Sequence, residues 1–250
     1  MYRLFHEFAQ RYDLHTPPGH YQHDHAFVIG EALRVAPANC RLLDIGCGTG
    51  VFLQAAIAAG IDGYGIDAAP EMVDVAQRRL GSDRVRVQRM QEISDENAYD
   101  VVCALSWALH YCETEAELDA VVKGCRRALR GGGLLLLQVA NDDCMTGAVN
   151  IEREPGPSGE PGDTYFIHQF RPLQDADHRV VAAYVYASCA HGELLSEEHE
   201  LRFANPSIVT DALLKSGFAE ISISDSKSIS PFVIGTQPIV TTAPQCRSNR

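Results

Sequence analysis

The chain has 250 residues, which is enough for one large domain with an appendage. Hydrophobic residues make up 46% of it, an ordinary share for a globular protein that argues against a disordered or fibrous chain. The 33 acidic residues outnumber the 21 basic ones, and the formal net charge of −12 disfavours a nucleic-acid partner.

Cysteine usage and hydropathy bear on the compartment. The eight cysteines are scattered, with no C-x-x-C pair and no zinc-type spacing, as is typical of a reducing cytoplasm. The first residues lack the apolar stretch of a signal peptide, and the most apolar run, 134–137, is too short to cross a membrane. We therefore expect a cytoplasmic protein with no membrane partner.

The predicted elements begin with a segment rich in aromatic residues and histidines. Residues 1–38 end in an apolar helical pattern through Phe27, Ile29 and Leu33, which predicts an N-terminal helical cap. The three histidines between residues 20 and 25 have no recognised ligand spacing, so we expect no metal site.

From residue 41, strand and helix signals alternate. Pro70 suits the first position of a helix, and Thr114 with Glu117 forms a capping box. The predicted strands lie at 41–45, 61–66, 85–87, 99–105 and 134–139, with helices at 51–59, 70–81 and 114–131 between them. Short apolar strands of this kind are typical of a parallel sheet that is covered on both faces.

The alternation stops after residue 140. Residues 141–163 are rich in Gly, Pro and acidic side chains, which predicts a loop. Stretches at 164–170, 179–189 and 198–203 then predict a small antiparallel meander. The chain closes with a helix from Asn205 or Ser207 to Gly217, a strand pair at 221–223 and 231–235, and a frayed tail from 241.

The strongest motif is D-I-G-C-G-T-G at 44–50, between a predicted strand and a predicted helix. A glycine turn at this place points backbone N–H groups at a nucleoside ligand. Asp67 ends the second strand about 20 residues later, where a carboxylate accepts both hydroxyls of a ribose. Turn, spacing and strand context together predict a nucleoside cofactor.

The neighbouring residues narrow the choice of cofactor. A dinucleotide fingerprint requires Gly or Ala at position 51, where Val51 stands, and no lysine lies nearby to make a phosphate-binding P-loop. Asp44, ahead of the first glycine, suits a ligand end that bears an ammonium and a sulfonium better than a pyrophosphate.

These residues resemble a known family. The run 42–50 is similar, nearly letter for letter, to the first motif of the class I S-adenosylmethionine-dependent methyltransferases, and 65–72, 99–102 and 129–133 resemble its later motifs. The resemblance covers roughly 38–140 and, more loosely, 206–236. It implies an α/β fold: a Rossmann-like seven-stranded sheet with a reversed last strand, helices on both faces, an N-terminal helical cap and a small antiparallel β insertion after strand 5.

The resemblance also implies a single methyltransferase domain over residues 1–250. Its expected parts are a cap at 1–38, a Rossmann-like core at 39–140 and 205–240, a lid insertion at 141–204 and a flexible tail at 241–250. Aromatic residues of the lid are expected to be simply core, with an acceptor pocket or the contact of a homodimer as lesser alternatives.

The family's cofactor is S-adenosylmethionine, which leaves the reaction as S-adenosylhomocysteine. By resemblance, the turn glycines line the methionine and ribose, Asp67 holds the ribose, and Ala68 and Met72 flank the adenine. Many relatives place an Asp after the third strand, where Met90 stands here and leaves the adenine amine to backbone groups or Gln91. The predicted cofactor-binding residues are Asp44, Gly46, Gly48, Gly50, Asp67, Ala68, Met72, Met90, Gln91, Leu105 and Tyr21.

On the acceptor side, His110 is the candidate general base. It follows the carboxyl end of the fourth strand, where open α/β sheets place their ligands, and an unperturbed imidazole titrates near neutrality. A histidine that is hydrogen-bonded structurally between strand and helix is an equally open interpretation. The remaining substrate candidates are Tyr12, Tyr111, His168 and Arg171.

The predicted function is transfer of a methyl group from S-adenosylmethionine to an N or O atom of a small-molecule acceptor, in natural-product or amino-sugar metabolism, by in-line displacement. Two alternatives stay open: a non-catalytic S-adenosylmethionine-binding regulator or partner protein, and a methyltransferase that acts on protein. The N/D-P-P-Y/F motif of enzymes that methylate nucleic-acid amines is missing after the fourth strand.

Overall fold

A seven-stranded sheet forms the core of the chain. The computed structural model describes residues 2–15, 21–36, 38–141, 145–155, 161–173, 179–189, 191–202, 204–225 and 230–239. The strands of this sheet are β1 (Arg41–Ile45), β2 (Asp62–Asp67), β3 (Val85–Val87), β4 (Tyr99–Ala104), β5 (Leu129–Gln138), β10 (Ala219–Ile223) and β11 (Phe232–Thr236). Their order is β10-β11-β5-β4-β1-β2-β3.

The pairing of these strands confirms the predicted Rossmann-like topology. Strands β1 to β5 are parallel to one another, whereas β11 runs antiparallel to both β5 and β10. The carboxyl ends of β1, β2 and β4 therefore meet at one edge, beside the point where the strand order reverses. Ligands of open α/β sheets bind at this edge.

Helices cover both faces of the sheet. They are α1 (Tyr12–His15), α2 (Gln22–Val35), α3 (Val51–Ala58), α4 (Pro70–Leu80), α5 (Glu115–Ala128) and α6 (Pro206–Lys215). Successive strand residues point to opposite faces, so Val101 packs with α2 and α3 while Val102 packs with α5 and α6. This double burial explains why the strands are continuous apolar runs.

A second sheet forms the insertion after β5. Its four strands, β6 (Val149–Pro155), β7 (Pro161–Pro172), β8 (Arg179–Ser188) and β9 (Glu193–Arg202), make an antiparallel meander in chain order. We call it the lid sheet. It confirms the predicted meander but adds a strand.

The lid sheet corrects two sequence predictions. Residues 141–163 were expected to be a loop, yet β6 lies within them and pairs with β7. The sequence of this edge strand did not indicate it, because its apolar side chains, such as Ile151, are exposed and polar ones alternate with them. Strand β9 also begins at Glu193, five residues before the predicted start, and buries only alternate side chains such as Leu195 and Leu201.

Other element boundaries follow the sequence closely. The Thr114 hydroxyl accepts the Glu117 N–H at 3.1 Å, and the Asn205 side chain accepts the Ile208 N–H at 3.0 Å, so both predicted helix starts are capped. Helix α5 ends at Ala128 rather than near residue 131, because β5 already begins at Leu129. The predicted tail at 241–250 lies outside the described residues. In the described ranges no helix combines the length and apolarity needed to cross a bilayer.

Candidate active site

The glycine turn joins β1 to α3 at the carboxyl edge of the sheet. Gly46, Gly48 and Gly50 adopt φ angles of 74°, 53° and 78°, which side-chain-bearing residues rarely adopt. A β-carbon on Gly46 would lie 2.8 Å from the Ala108 β-carbon, and one on Gly50 would lie 2.9 Å from Leu80 Cδ1. A β-carbon on Gly48 would meet nothing within 4 Å. The turn is therefore packed at its two ends and open to a ligand in the middle.

Asp67 lies beside the open middle of the turn. One carboxylate oxygen accepts the Gly48 N–H and the other accepts the Ala69 N–H, both at 2.9 Å. Burial raises the pKa of Asp67 above its ordinary value, although these hydrogen bonds oppose the shift. A carboxylate has about four acceptor positions, and the backbone N–H groups do not use all of them, so Asp67 can still accept from a ribose.

Asp44 is a buried carboxylate at the end of β1. It is 2% exposed, its nearest donor is the Cys103 thiol at 3.7 Å, and no cation of the described residues lies within ion-pair distance. Burial raises its pKa to about 7; the thiol opposes this shift and the charge of Asp67 adds to it. A cationic ligand end placed next to Asp44 would offset the cost of its buried charge.

The predicted adenine-side residues are mostly packed against protein. Met72 is 1% exposed and packs with Ala9 and Ala69, and Met90 packs beside the core under α5. Leu105 and Gln91 likewise contact protein, Leu105 in the core beside α2 and α3 and Gln91 at Glu117 Oε2, 3.3 Å away. Ala68 is exposed at the rim.

The N-terminal segment, residues 2–15, lies over the glycine turn and α4. The Thr49 hydroxyl donates to Asp13 at 2.6 Å, and Asp13 also pairs with Arg79 of α4. His6 is 2.6 Å from Glu71. Sequence reasoning missed these contacts because the partners are 36 to 66 residues apart in the chain.

Tyrosines from three parts of the chain face one another next to this segment. Tyr12 belongs to the N-terminal segment, Tyr21 precedes α2, and Tyr184 and Tyr186 lie on β8. Burial raises the pKa of Tyr186, and the neighbouring Tyr12, Tyr184 and Tyr21 add to the shift. The predicted candidates Tyr12 and Tyr21 therefore lie where the lid sheet meets the N-terminal segment.

The inward face of the lid sheet is largely aromatic. Phe166 stacks on Tyr186 at 4.7 Å, His168 stacks on Phe166 at 4.8 Å, and Phe170 packs on Trp107 at 4.9 Å between ring centroids. His168 thus lies on the face predicted to meet the acceptor. Arg171 does not: it lies on the outward face and pairs with Glu198, since adjacent strand residues point to opposite sides.

His110, the candidate base, lies in a buried environment. It is 1% exposed, its Nε2 accepts the Ala140 N–H at 3.2 Å, and its other ring nitrogen is hydrogen-bonded to the Arg202 backbone. Burial lowers its pKa to about 3, against the opposing effect of that second bond. Both nitrogens are used, so the geometry favours the structural interpretation of His110 over the general-base one.

Tyr111, the next residue, has a different environment. Its hydroxyl is 2.7 Å from His199 Nδ1, and His199 Nε2 is 3.1 Å from Glu197 Oε2. Sequence reasoning named Tyr111 but missed His199 and Glu197, although their two-residue spacing in a strand places both on one face. Because this strand was predicted to begin at residue 198, Glu197 was not assigned to the same strand as His199.

Comparisons with known proteins agree with this fold. Residues 42–133 match a family model described as a methyltransferase domain. A ubiquinone biosynthesis O-methyltransferase from Xanthomonas axonopodis pv. citri (strain 306) is 32% identical over 114 residues, 43% of this chain and 46% of that protein. The chain spans about half the length of the curated relatives it matches.

Two solved structures are similar over most of their length. A sugar N-methyltransferase from Streptoalloteichus sp ATCC 53650 has a TM-score of 0.69 at 21% identity, covering 88% of both chains. A SAM-bound amino pentose methyltransferase from Micromonospora echinaspora has a TM-score of 0.69 at 22% identity, covering 87% of this chain and 91% of its own. At these identities the likeness shows the fold. The matched domain and this fold are similar to those of the class I S-adenosylmethionine-dependent methyltransferases.

Proposed function

We propose that the whole chain transfers a methyl group from S-adenosylmethionine to an N or O atom of a small molecule held under the lid sheet. The observation that carries the proposal is the pair of buried carboxylates around the open glycine turn. Asp67 would hold the ribose, and Asp44 would face the cationic methionine end. The bound donor supplies an electrophilic methyl carbon, and the protein supplies position and proton transfer.

The lid sheet supports a small acceptor. Its aromatic inward face is closed on the other side by the N-terminal segment, through Tyr12 and Phe5. An aromatic face that the chain's own N-terminal segment covers suits a small molecule better than a protein surface or a nucleic-acid strand. We also propose that cap, core and lid act together as one domain, because residues of the cap and of the lid pack together here.

Calorimetry tests the cofactor site. We expect S-adenosylmethionine and S-adenosylhomocysteine to bind the purified chain and NAD and ATP not to bind. Asp67→Ala should weaken S-adenosylmethionine at least tenfold, since it removes both ribose acceptors. Asp74→Asn, an exposed change on α4, is the control and should leave the affinity unchanged. Equal binding by the Asp67 variant would contradict the assigned site.

A transfer assay tests the reaction. The chain is incubated with methyl-tritiated S-adenosylmethionine and a panel of amino sugars, alkyl amines, catechols and phenols. Label in any panel member supports the proposal and separates N from O acceptors. Tight cofactor binding with label in no panel member, and label in protein from a cell extract instead, would favour the protein-methylating alternative.

A further inference from the structure

We propose that Tyr111, His199 and Glu197 form a proton relay that takes up the proton of the acceptor, an inference that rests on the proposed function. The three side chains make a continuous hydrogen-bonded row: Tyr111 Oη to His199 Nδ1 at 2.7 Å, then His199 Nε2 to Glu197 Oε2 at 3.1 Å. Tyr111 would touch the acceptor, and the other two would act through it.

Glu197, at the carboxylate end of the row, sets the direction in which the hydrogen bonds are donated. Burial opposes ionisation of Glu197, but hydrogen bonds from His199 and from the backbone N–H groups of Leu4 and Arg3 hold its pKa below the ordinary value. An ionised Glu197 can only accept, so His199 Nε2 carries the ring proton. The free lone pair of Nδ1 then accepts the hydroxyl of Tyr111.

The middle of the relay is shielded from water. His199 is 0% exposed, with the Tyr2 ring stacked on it at 3.8 Å and the Tyr184 ring edge-on at 5.0 Å between centroids. The titratable groups that face it are Tyr2, Tyr111, Tyr184 and Glu197. Burial lowers the pKa of His199, with Glu197 opposing, so the ring is neutral and able to accept a proton at pH 7.

The outer end of the relay lies next to the cofactor turn. Tyr111 ends the short turn Ala108–Tyr111 after β4, and Ala108 is the residue that contacts Gly46. Tyr111 is only half-buried, and its hydroxyl lies close enough to those of Tyr184 and Tyr12 for the three to interact electrostatically. The relay as proposed places the acceptor on this side of Tyr111, toward the glycine turn.

The proposed step moves one proton through two bonds. The acceptor's N–H or O–H proton passes to Tyr111 Oη as the Tyr111 proton passes to His199 Nδ1, which leaves an imidazolium beside Glu197. The electron pair of the broken N–H or O–H bond stays on the acceptor atom and forms the bond to the methyl carbon. The electron pair of the carbon–sulfur bond leaves on sulfur. After the methylated product has left, the proton on His199 Nδ1 passes back through the hydroxyl of Tyr111 to water.

Kinetics test the relay on the panel acceptor with the highest turnover. Tyr111→Phe and His199→Asn should each lower kcat about 100-fold, as expected for loss of acid–base catalysis. KM and the calorimetric affinity for S-adenosylmethionine should change less than threefold. Tyr165→Phe, the same change on the outward face of β7, should leave kcat unchanged. Tyr111→Phe with kcat within threefold of the parent chain overturns the proposal.

The pH profile separates a relay from a merely structural contact. In the parent chain kcat should fall in acid as His199 becomes protonated, and this acidic limb should be lost in His199→Asn. An unchanged acidic limb in that variant counts against the relay.

Nuclear magnetic resonance gives a readout that needs no acceptor. In ¹⁵N-histidine-labelled protein, the signal missing from His199→Asn identifies His199. We expect a neutral ring with its proton on Nε2 at pH 7, and a shifted Nδ1 resonance in Tyr111→Phe. A ring protonated on Nδ1, or charged, overturns the relay even if methyl transfer is found. If His199 has the expected tautomer but no panel member is methylated, the result counts against the proposed function and not against the relay.

Discussion

Asp44 shows how a single residue links stability to ligand binding. Its pKa is raised by burial to about 7 from an ordinary value of 3.8. The unfolded chain therefore loses this proton at lower pH than the folded protein does, and the folded state loses stability as pH rises from about 4 to about 7. Above this pH the ligand-free protein is destabilised by the buried charge of Asp44, and a bound cation next to Asp44 would offset that destabilisation.

Asp44→Asn should accordingly stabilise the ligand-free protein at pH 8, by on the order of 4 kcal/mol in the free energy of unfolding. At pH 4, where the folded carboxyl is already protonated, the variant and the parent chain should be equally stable. The same variant should bind S-adenosylmethionine at least tenfold more weakly. Urea denaturation at both pH values and calorimetry measure the two effects.

Asp74→Asn again serves as the control for Asp44→Asn. A variant that is destabilised at pH 8 would show that Asp44 has a partner in the ligand-free protein, and would contradict the proposed cationic ligand end.

At the residue scale, the cofactor side could be predicted and the acceptor side could not. Asp44 and Asp67 follow from spacing along a local strand–turn–helix unit, where neighbours in sequence are neighbours in space. For His110 the sequence left two interpretations open, a general base and a structural histidine, and its contacts favour the second. Its partners come from the end of β5 and the end of β9, and no local pattern shows that both ring nitrogens are taken.

At the element scale, His110 ties three pieces together. It lies in the turn after β4, accepts from Ala140 just beyond β5, and bonds to Arg202 at the end of β9. The lid sheet is thereby joined to the core at the edge where the ligands bind.

His110→Asn tests this structural role through pH. The pKa of His110 is lowered to about 3 from 6.5, so the unfolded chain takes up a proton below pH 6.5 that the folded protein refuses, and stability falls as pH falls. We expect the variant to lose about 2 kcal/mol at pH 8 and to match the parent chain near pH 5. Chemical denaturation across this range measures the difference.

His191→Asn, an exposed change between β8 and β9, is the matched control for His110→Asn and should follow the parent curve. A constant gap between His110→Asn and the parent chain from pH 8 to pH 5 would argue that His110 titrates alike in the folded and unfolded chain, as a solvent-exposed general base would.

The strands that the sequence predicts well are the buried ones. The core strands are buried on both faces, so their continuous apolar runs are enough to identify them as strands. Strand β6 and the first part of β9 mix apolar residues with polar ones and bury few of them, so composition alone assigns them to loops. Only the pairing with β7 and β8, a long-range fact, makes them strands.

At the scale of the whole molecule, the outward face of the lid sheet carries exposed apolar side chains. Val149, Ile151 and Leu194 are 60%, 67% and 69% exposed. Val149 and Ile151 adjoin on the edge strand β6, whereas Leu194 lies on the opposite edge strand β9. We propose that two copies pair through β6, because adjoining exposed apolar side chains are typical of an interface.

Light scattering after size exclusion tests the pairing. The parent chain should elute as a dimer and Ile151→Glu as a monomer, because a charge in the contact would be desolvated without a partner. Leu214→Glu, an equally exposed leucine on α6, should stay dimeric. A monomeric parent chain at about 100 µM, where an interface of about 1,000 Å² or more would hold, contradicts the proposal.

The N-terminal segment touches both halves of the site. Asp13 bonds to Thr49 of the glycine turn, while Glu197 of the lid sheet accepts the backbone N–H groups of Arg3 and Leu4. One ordered segment therefore bears on both the donor's pocket and the acceptor's. A ligand that orders this segment from one side lowers the entropic cost of binding the second ligand on the other side. We therefore expect the methyl donor and the acceptor to raise each other's binding affinity by the same factor.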